Sequence, residues 1–458
     1  MKTDTIAAIA TALSNSGIGI IRISGIDALT IIDQIYQSKN GLKKLSEQSS
    51  HTIHYGYIVD GEKTIDEVMV LIMKGPNSYT REDVVEIDCH GGIIVTQKIL
   101  EIVIKYGARV AEPGEFTKRA FLNGRIDLSQ AEAVIDIINA KNEFALQSSV
   151  SQLKGTVLNK VKAIRENIIR DIAFIEAALD DPEHISIDGF SDELLKRVNK
   201  NRSELSILLD SADNGRLRKE GIQTVILGKP NAGKSSLMNV LVGSDRAIVT
   251  EIAGTTRDTL EETIHLDGVL LNIIDTAGIR DTSDLVEKIG VNKAMEFAKS
   301  ADLIIYVVDA STNLDENDYN IIEFIRERKA IVLLNKTDLD IVVTADELAN
   351  KTGKEVIAIS AKMEEGIDNF QTTVKDMFFQ GNIKYNDEIY ITNMRHKASI
   401  ADSIESLDQV KKSIELDMPE DFYSIDLMNA YEELGKIIGE AVEDDLVNTI
   451  FREFCMGK

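Results

Sequence analysis

Thr224-Val225-Ile226-Leu227-Gly228-Lys229-Pro230-Asn231-Ala232-Gly233-Lys234-Ser235-Ser236-Leu237-Met238-Asn239-Val240-Leu241 is the stretch that decides the fold. An apolar run, a loop of the form G-x-x-x-x-G-K-[ST] and a helix-like run follow one another. That order is what phosphate binding requires, because the loop's backbone N–H groups and the positive end of the helix must converge on the same oxygens. A glycine-rich turn with a chance lysine would lack this context. Asn231, Ala232, Gly233, Lys234, Ser235 and Ser236 are therefore expected to line a nucleotide. Lys234 would reach the β- and γ-phosphates, and the Ser235 hydroxyl would ligate Mg²⁺.

The choice of base is read further on. Asn335-Lys336-Thr337-Asp338 follows the apolar run Ala330–Leu334. A carboxylate at a strand end can accept from both N1–H and the 2-amino group of guanine. Adenine offers neither donor, and pairing with it would strand a desolvated charge. The nucleotide is thus GTP. Ser360-Ala361, after Val356–Ile359, suits a second guanine contact through backbone N–H groups.

Between these motifs lie two segments with switch character. Gly254-Thr255-Thr256-Arg257-Asp258 falls where a GTPase closes a threonine over Mg²⁺ and the γ-phosphate. Asp275-Thr276-Ala277-Gly278 ends the apolar run Leu270–Ile274, with Asp275 supporting Mg²⁺ and the Gly278 amide facing the γ-phosphate. Asp267-Gly268 reads as the turn of a hairpin joining Glu262–Leu266 to that run. Ile279 stands where Ras-like enzymes orient water with a glutamine, and an isoleucine cannot do so. Asn231 could help to hold a monovalent cation in place of an arginine finger. Glu287 could polarise the attacking water, although by residue type alone it reads as a solvated carboxylate.

The remaining chain sets bounds. Its 458 residues suffice for about two to four domains. No apolar secretory segment follows Met1-Lys2-Thr3-Asp4 and no run reaches membrane-span length, so a soluble, cytoplasmic protein with no membrane partner is expected. Cys89 and Cys455 are too few and too far apart for a disulfide or zinc framework. Cys455-Met456-Gly457-Lys458 fits a prenylation box poorly at its last two positions. A net charge of −25 opposes non-specific nucleic-acid binding over the whole surface. The small basic clusters Arg216-Leu217-Arg218-Lys219 and Lys118-Arg119 read as solvated faces.

The N-terminal part reads as mixed α/β. Strands are expected at Ile18–Gly25, Ile53–Val59, Glu67–Met73 and Val84–Asp88, the middle two joined through Asp60-Gly61. A helix over Ile93–Tyr106 and a strand at Arg109–Ala111 follow. After Asn123-Gly124 the apolar period becomes helical. Ser129 and Glu132 are expected to form a capping box. Leu146, Val150, Leu153, Val157, Val161, Ile164, Ile168, Ile172, Ile175 and Leu179 mark one long helix ended by Asp180-Asp181-Pro182. More helix is expected near Leu194–Ala212, and again after residue 380 with Ile400, Ile404, Leu407, Val410 and Ile414 in register, then Leu427, Leu434, Ile438 and Ala441. The guanine-nucleotide pattern interrupts this helical region. Switch movements would then be transmitted to the helices, or sensed between two subunits.

Taken with Gly19-Ile20-Ile21-Arg22-Ile23-Ser24-Gly25, Gly75-Pro76-Asn77-Ser78-Tyr79-Thr80, Pro113–Gly124 and the terminal Phe454–Lys458, these motifs resemble the MnmE (TrmE) family of tRNA-modification GTPases over the full length. The resemblance implies a multi-domain fold of α/β and α parts. An N-terminal α/β folate-binding and dimerisation domain would span 1–120. A helical domain at 121–220 and 381–458 would be interrupted by a Ras-like P-loop G domain at 221–380. It implies a homodimer, a heterotetramer with the FAD-dependent partner MnmG (FAD entering only through that partner), and contact with tRNA through the complex. Such proteins add a carboxymethylaminomethyl or aminomethyl group to C5 of wobble uridine. A 5,10-methylene- or 5-formyl-tetrahydrofolate supplies the one-carbon unit.

By position in the family motifs, Arg22, Glu86, Arg125 and Lys458 would contact the folate, and Cys455 would lie near with a catalytic part. Asn231, Thr250, Ile252 and Thr255 would surround K⁺, while Ser235 and Thr256 would ligate Mg²⁺. Glu287 would position the water, and pairing of two G domains across their switches would activate hydrolysis. Competing classes are a ribosome-assembly GTPase, disfavoured by acidic helical flanks without a basic RNA module, and a purely regulatory switch, which has no need of Arg22 or Lys458. A membrane-remodelling GTPase is disfavoured because no basic amphipathic segment is present.

Overall fold

The computed structural model describes residues 4–39, 41, 43–243, 261–266, 269–274, 295–379, 391–440, 444–452, 454 and 457. The chain divides into two compact units, Met1–Asn139 with Ser149–Leu205 and Ala398–Lys458, and Ala140–Ser148 with Ser206–Lys397.

The first unit opens with β1 (Ile6–Ile9), β2 (Ser16–Ser24), α1 (Ala28–Ile35), β3 (Tyr36–Ser38), β4 (Thr52–Asp60), β5 (Lys63–Met73), β6 (Val84–Gly91), α2 (Ile93–Lys105) and β7 (Arg109–Val110). The strands form one sheet in the order β3-β4-β5-β6-β2-β1-β7, antiparallel except where β7 joins β1. The expected hairpin closes at Asp60↔Lys63, with Gly61 in the left-handed region its turn demands. Alternation explains the layering: Ile21, Ile23, Val85, Ile87, Val70 and Ile72 face one side and are buried under α1 and α2. Cys89 joins this layer; burial pushes its thiol up to about 11, so it serves as an apolar filler.

Helices α3 (Glu115–Leu122), α4 (Leu128–Ile138), α5 (Glu143–Leu153), α6 (Thr156–Asp180) and α7 (Phe190–Glu220) follow. Two expectations need correction here. The capping box of α4 is Asp127 with Gln130, not Ser129 with Glu132. Leu128 is fully buried and pulls the helix start toward the core, so Ser129 falls inside the first turn and donates its hydroxyl to Asp127. The long apolar stripe also belongs to two helices rather than one. Gly155, at φ 89°, breaks it between α5 and α6 while leaving the i, i+3, i+4 register of the apolar residues intact.

The second unit holds β8 (Ile222–Leu227), α8 (Lys234–Gly243), β9 (Glu261–Leu266), β10 (Val269–Ile274), β11 (Leu303–Asp309), α9 (Glu316–Ile325), β12 (Ala330–Asn335), α10 (Ala345–Thr352), β13 (Val356–Ala358) and α11 (Ile367–Phe379). Its sheet runs β13-β12-β11-β8-β10-β9, parallel except for the antiparallel edge β9. The parallel strands read as unbroken apolar runs because both faces are covered. Ile305, Val307, Ile331 and Leu333 pack on one side, and Ile304, Tyr306, Val332 and Leu334 on the other. At about 1.5–3 kcal/mol for each large side chain, this double layer is the main source of the unit's stability. The first unit resumes in α12 (Met394–Glu415), α13 (Glu420–Ile438) and α14 (Asp444–Arg452). The guanidinium of Arg165 on α6 lies 3.9 Å over the Tyr431 ring and donates to the Tyr431 carbonyl, binding α6 to α13. Among the described residues no helix is long and apolar enough to cross a membrane.

Candidate functional site

The phosphate loop leaves the carboxyl end of β8 where its neighbours are β10 on one side and β11 on the other. Such a reversal of strand order is where open α/β sheets bind ligands. Two glycines are required by space as well as by backbone. A Cβ on Gly228 would sit 2.4 Å from the Val307 carbonyl oxygen, and one on Gly233 would sit 2.0 Å from Asn335 Nδ2. Both have positive φ, as does Asn231 at 60°, one of the few side chains that tolerates that region. Lys234 folds back along its own loop and donates to the Gly228 and Lys229 carbonyls, each at 2.7 Å. Its ammonium is thereby held at the loop's centre, while Ser235 and Ser236 open α8 on the exposed side.

The loops after β12 and β13 are joined to the phosphate loop by Asn335. From the last position of β12 it donates to the Ala232 carbonyl of the phosphate loop at 2.9 Å and accepts from the Ala361 N–H at 3.0 Å. One buried amide thus ties three loops together, satisfying its own donor and acceptor in doing so. Lys336 follows in the left-handed region and pairs with Asp309 at 2.5 Å. Burial works to raise the Asp309 carboxyl, and Lys336 and Ser311 outweigh it, leaving it below the ordinary value. Asp338 is exposed, and Ser360 donates its hydroxyl to it at 2.7 Å, fixing the carboxylate's orientation. The Ser360 and Ala361 amides donate to Glu365 O and Asn335 Oδ1 respectively. Both N–H groups expected as guanine contacts thus have partners within the fold.

A second cluster lies on the sheet of the first unit. Arg22 stands opposite Glu86 in the β2–β6 register and its Nε donates to Glu86 at 2.6 Å. Its NH1 donates to the carbonyl of Gly457, 435 residues away, at 3.0 Å. The Tyr79 ring is shared by two cations, Arg22 at 5.6 Å and Arg125 at 4.6 Å from its centroid. Asp88, two residues along β6 on the same face as Glu86, has a buried Oδ1 without a hydrogen-bond partner. Burial, helped by the Glu86 charge, raises its carboxyl. Behind the arginines, Ala120, Leu128, Val447, Phe451 and Phe454 make one apolar cluster that anchors the chain's last residues.

The structure thus brings Asn231, Ala232, Gly233, Lys234, Ser235, Ser236, Asn335, Lys336, Asp338, Ser360 and Ala361 to one edge of a sheet, and Arg22, Glu86 and Arg125 to one face of another. Thr250, Glu251, Ile252, Ala253, Gly254, Thr255, Thr256, Asp275, Thr276, Ala277, Gly278, Glu287, Cys455 and Lys458, with Ile279 and the Asp267-Gly268 turn, lie outside the described residues. Sequence reasoning missed Tyr79 as a stacking partner, Asp309 as the partner of Lys336, and Asp88. Tyr79 stands in a quoted motif, but its role depends on Arg22 and Arg125 reaching it from other elements, and two aspartates in strands carry no one-dimensional signal.

Comparison with known proteins places these features in a family. Residues 128–455 match a family model described as the MnmE helical domain, and residues 5–125 match one described as the GTP-binding protein TrmE N-terminus. A Lachnoclostridium phytofermentans protein named tRNA modification GTPase MnmE is 66% identical over 458 residues, covering 100% of both chains. A protein of the same name from Alkaliphilus oremlandii is 47% identical over 458 residues, covering 99% of each. Among solved structures, the G domain of the T. maritima FeoB iron transporter is 26% identical and spans 35% of this chain and 98% of its own, with a TM-score of 0.26. That score adds nothing to the sheet topology already described. Family models over both regions and full-length identity of this degree establish that the chain belongs to the MnmE family of tRNA modification GTPases.

Proposed function

We propose that this chain binds and hydrolyses GTP and uses the cycle in tRNA modification. The observation that carries the reading is Asn335, whose single amide joins the phosphate loop to the guanine-side loop beside the Ser360–Asp338 pair. Lys234 and the loop amides would meet the phosphates, and Asp338 would accept from guanine N1–H and its 2-amino group. Full-length likeness to proteins named for tRNA modification supports the rest.

In finer terms, hydrolysis is stimulated by K⁺, and with the FAD-dependent MnmG the protein adds a carboxymethylaminomethyl or aminomethyl group to C5 of wobble uridine in certain tRNAs. The donor sets are hard oxygens, as both cations prefer. Ser235 and Thr256 would hold Mg²⁺, and Asn231, Thr250, Ile252 and Thr255 would hold K⁺. These ions would neutralise phosphate charge. Glu287 would position the water, a task Ile279 cannot perform. On the first unit, Arg22, Glu86, Arg125 and Lys458 would hold a tetrahydrofolate, which would supply a one-carbon unit. The orphaned Asp88 Oδ1 and the Tyr79 ring between two guanidiniums suit a planar group rich in N–H donors with an anionic tail. Cys455 would lie near that site, and two copies would pair through their N-terminal domains and G domains.

Nucleoside analysis of tRNA from a strain lacking the gene tests the reading. Loss of the C5 substituent at wobble uridine is expected, and fully modified uridine would refute it. Hydrolysis measured in KCl against NaCl at equal ionic strength tests the cation assignment, and equal rates would remove Asn231 from it.

A further inference from the structure

We propose that Lys229, the second residue of the phosphate loop, is a positioning residue whose ammonium pins the loop from behind to Asp318 and so sets the pose of Lys234. The inference rests on the GTP-binding reading. The geometry is continuous. Lys229 Nζ lies 2.6 Å from Asp318 Oδ2 and 3.1 Å from Asp315 Oδ2. Asp318 is 1% exposed and accepts as well from the Tyr306 hydroxyl of β11 at 2.8 Å and from the Asp315 N–H at 3.0 Å. Asp315 and Asp318 are together the capping box of α9. A helix end, a central strand and the phosphate loop thus meet at one ion pair.

Its direction gives it a function beyond stability. The carbonyl of the same Lys229 accepts from Lys234 Nζ at 2.7 Å, so the side chain that is clamped and the backbone oxygen that holds the phosphate-binding ammonium belong to one residue. Removing one partner of a buried ion pair leaves an uncompensated charge. Removing the lysine charge forces Asp318 to protonate or to draw in water, and either would shift α9's cap and release the loop's far side. Lys229 is held charged: burial opposes this, and Asp318 and Asp315 outweigh it. A side chain present only to satisfy the loop's own hydrogen bonds would not reach past its neighbours to a second element.

The test is the affinity of the full chain for fluorescent GDP and GTP analogues. Lys229→Met should weaken both by about tenfold, the equivalent of one charge-assisted hydrogen bond, because the loop serves the phosphates common to both. Lys229→Arg, which can fork between Asp315 and Asp318, should bind within about twofold of the wild type. A purely structural lysine would lower the melting temperature and leave affinity unchanged, and that result in Lys229→Met overturns the proposal. Should that variant fail to fold, Tyr306→Phe removes one remote donor from Asp318 and touches no nucleotide. About threefold weaker binding is then expected, and unchanged binding overturns the proposal. A wild-type chain that binds neither analogue would refute the GTP reading itself, whereas tight wild-type binding with an indifferent Lys229→Met refutes only the clamp.

Discussion

The loops around Asn335 in the second unit and the arginine cluster of the first both gather polar and charged side chains, and they are built in opposite ways. In the second unit the Asp338 carboxylate is exposed and oriented by a single hydroxyl, while the Asn335 amide and the Lys336–Asp309 pair carry the architecture. On the N-terminal sheet the charges are themselves the architecture: Arg22 and Glu86 are about one-sixth exposed, neutralise each other, and hold a distant backbone carbonyl in place. A loop edge can spare its charge for a ligand because the parallel sheet beneath supplies stability. A sheet face cannot, since a charge placed there must be paired before it can be buried.

The largest expected effect tests the first half of this contrast. Asp338→Ala should weaken GTP binding about a hundredfold, for the loss of two charge-assisted hydrogen bonds, with no change in melting temperature. A variant that still preferred GTP over ATP would break the comparison at once. Arg22→Met should do the reverse, costing about 2 kcal/mol of stability in the first unit by leaving Glu86 unpaired, with GTP hydrolysis by the second unit intact. Urea unfolding followed in the N-terminal strands by hydrogen exchange reads this. Arg22→Lys should recover only part, because an ammonium cannot stack on Tyr79 while bridging Glu86 and Gly457. The smallest effect concerns Asp88. Burial raises its carboxyl above the ordinary 3.8, so ionisation costs folding stability at neutral pH. Asp88→Asn should therefore raise the melting temperature of this unit by about 2 °C at pH 7. The gain should fade as pH falls through the raised value and vanish below 3.8, where the aspartate is neutral in both folded and unfolded chains. A gain that persisted at pH 3 would locate the cause elsewhere.

Much of the second unit is legible in sequence because the phosphate loop and the Asn335 loop each directly follow a strand buried on both faces. An unbroken apolar run such as Ala330–Leu334 announces the strand, and the next residues inherit the edge. The first unit hides more. The β4–β5 hairpin is visible in its alternation and its Asp60-Gly61 turn, yet nothing local places β2 between β6 and β1. Helix α1 is dense in Ile31, Ile32 and Ile35, a composition that local propensity does not favour for helix; burial of all three decides the matter. Ser129 misled as a cap because a buried Leu128 outweighs a one-residue preference. The apolar stripe of α5 and α6 concealed a break that a single glycine imposes. Asp309, Asp318 and Tyr79 escaped notice because each takes its meaning from a partner in another element.

The bond from Arg22 to the carbonyl of Gly457 has a consequence for the making of the protein. At about 5–20 residues per second, a ribosome needs roughly 20–90 s to cross the 435 residues between them. Over that interval Arg22, Phe116 and the Gly114 backbone that receives Phe451 must wait without their final cover. The seven strands of the N-terminal sheet all lie within residues 6–110 and can pair early, whereas the segment that covers them arrives last. The N-terminal unit thus starts to fold first and is covered last. Chaperones that shield apolar surface would find their natural client here in the N-terminal unit.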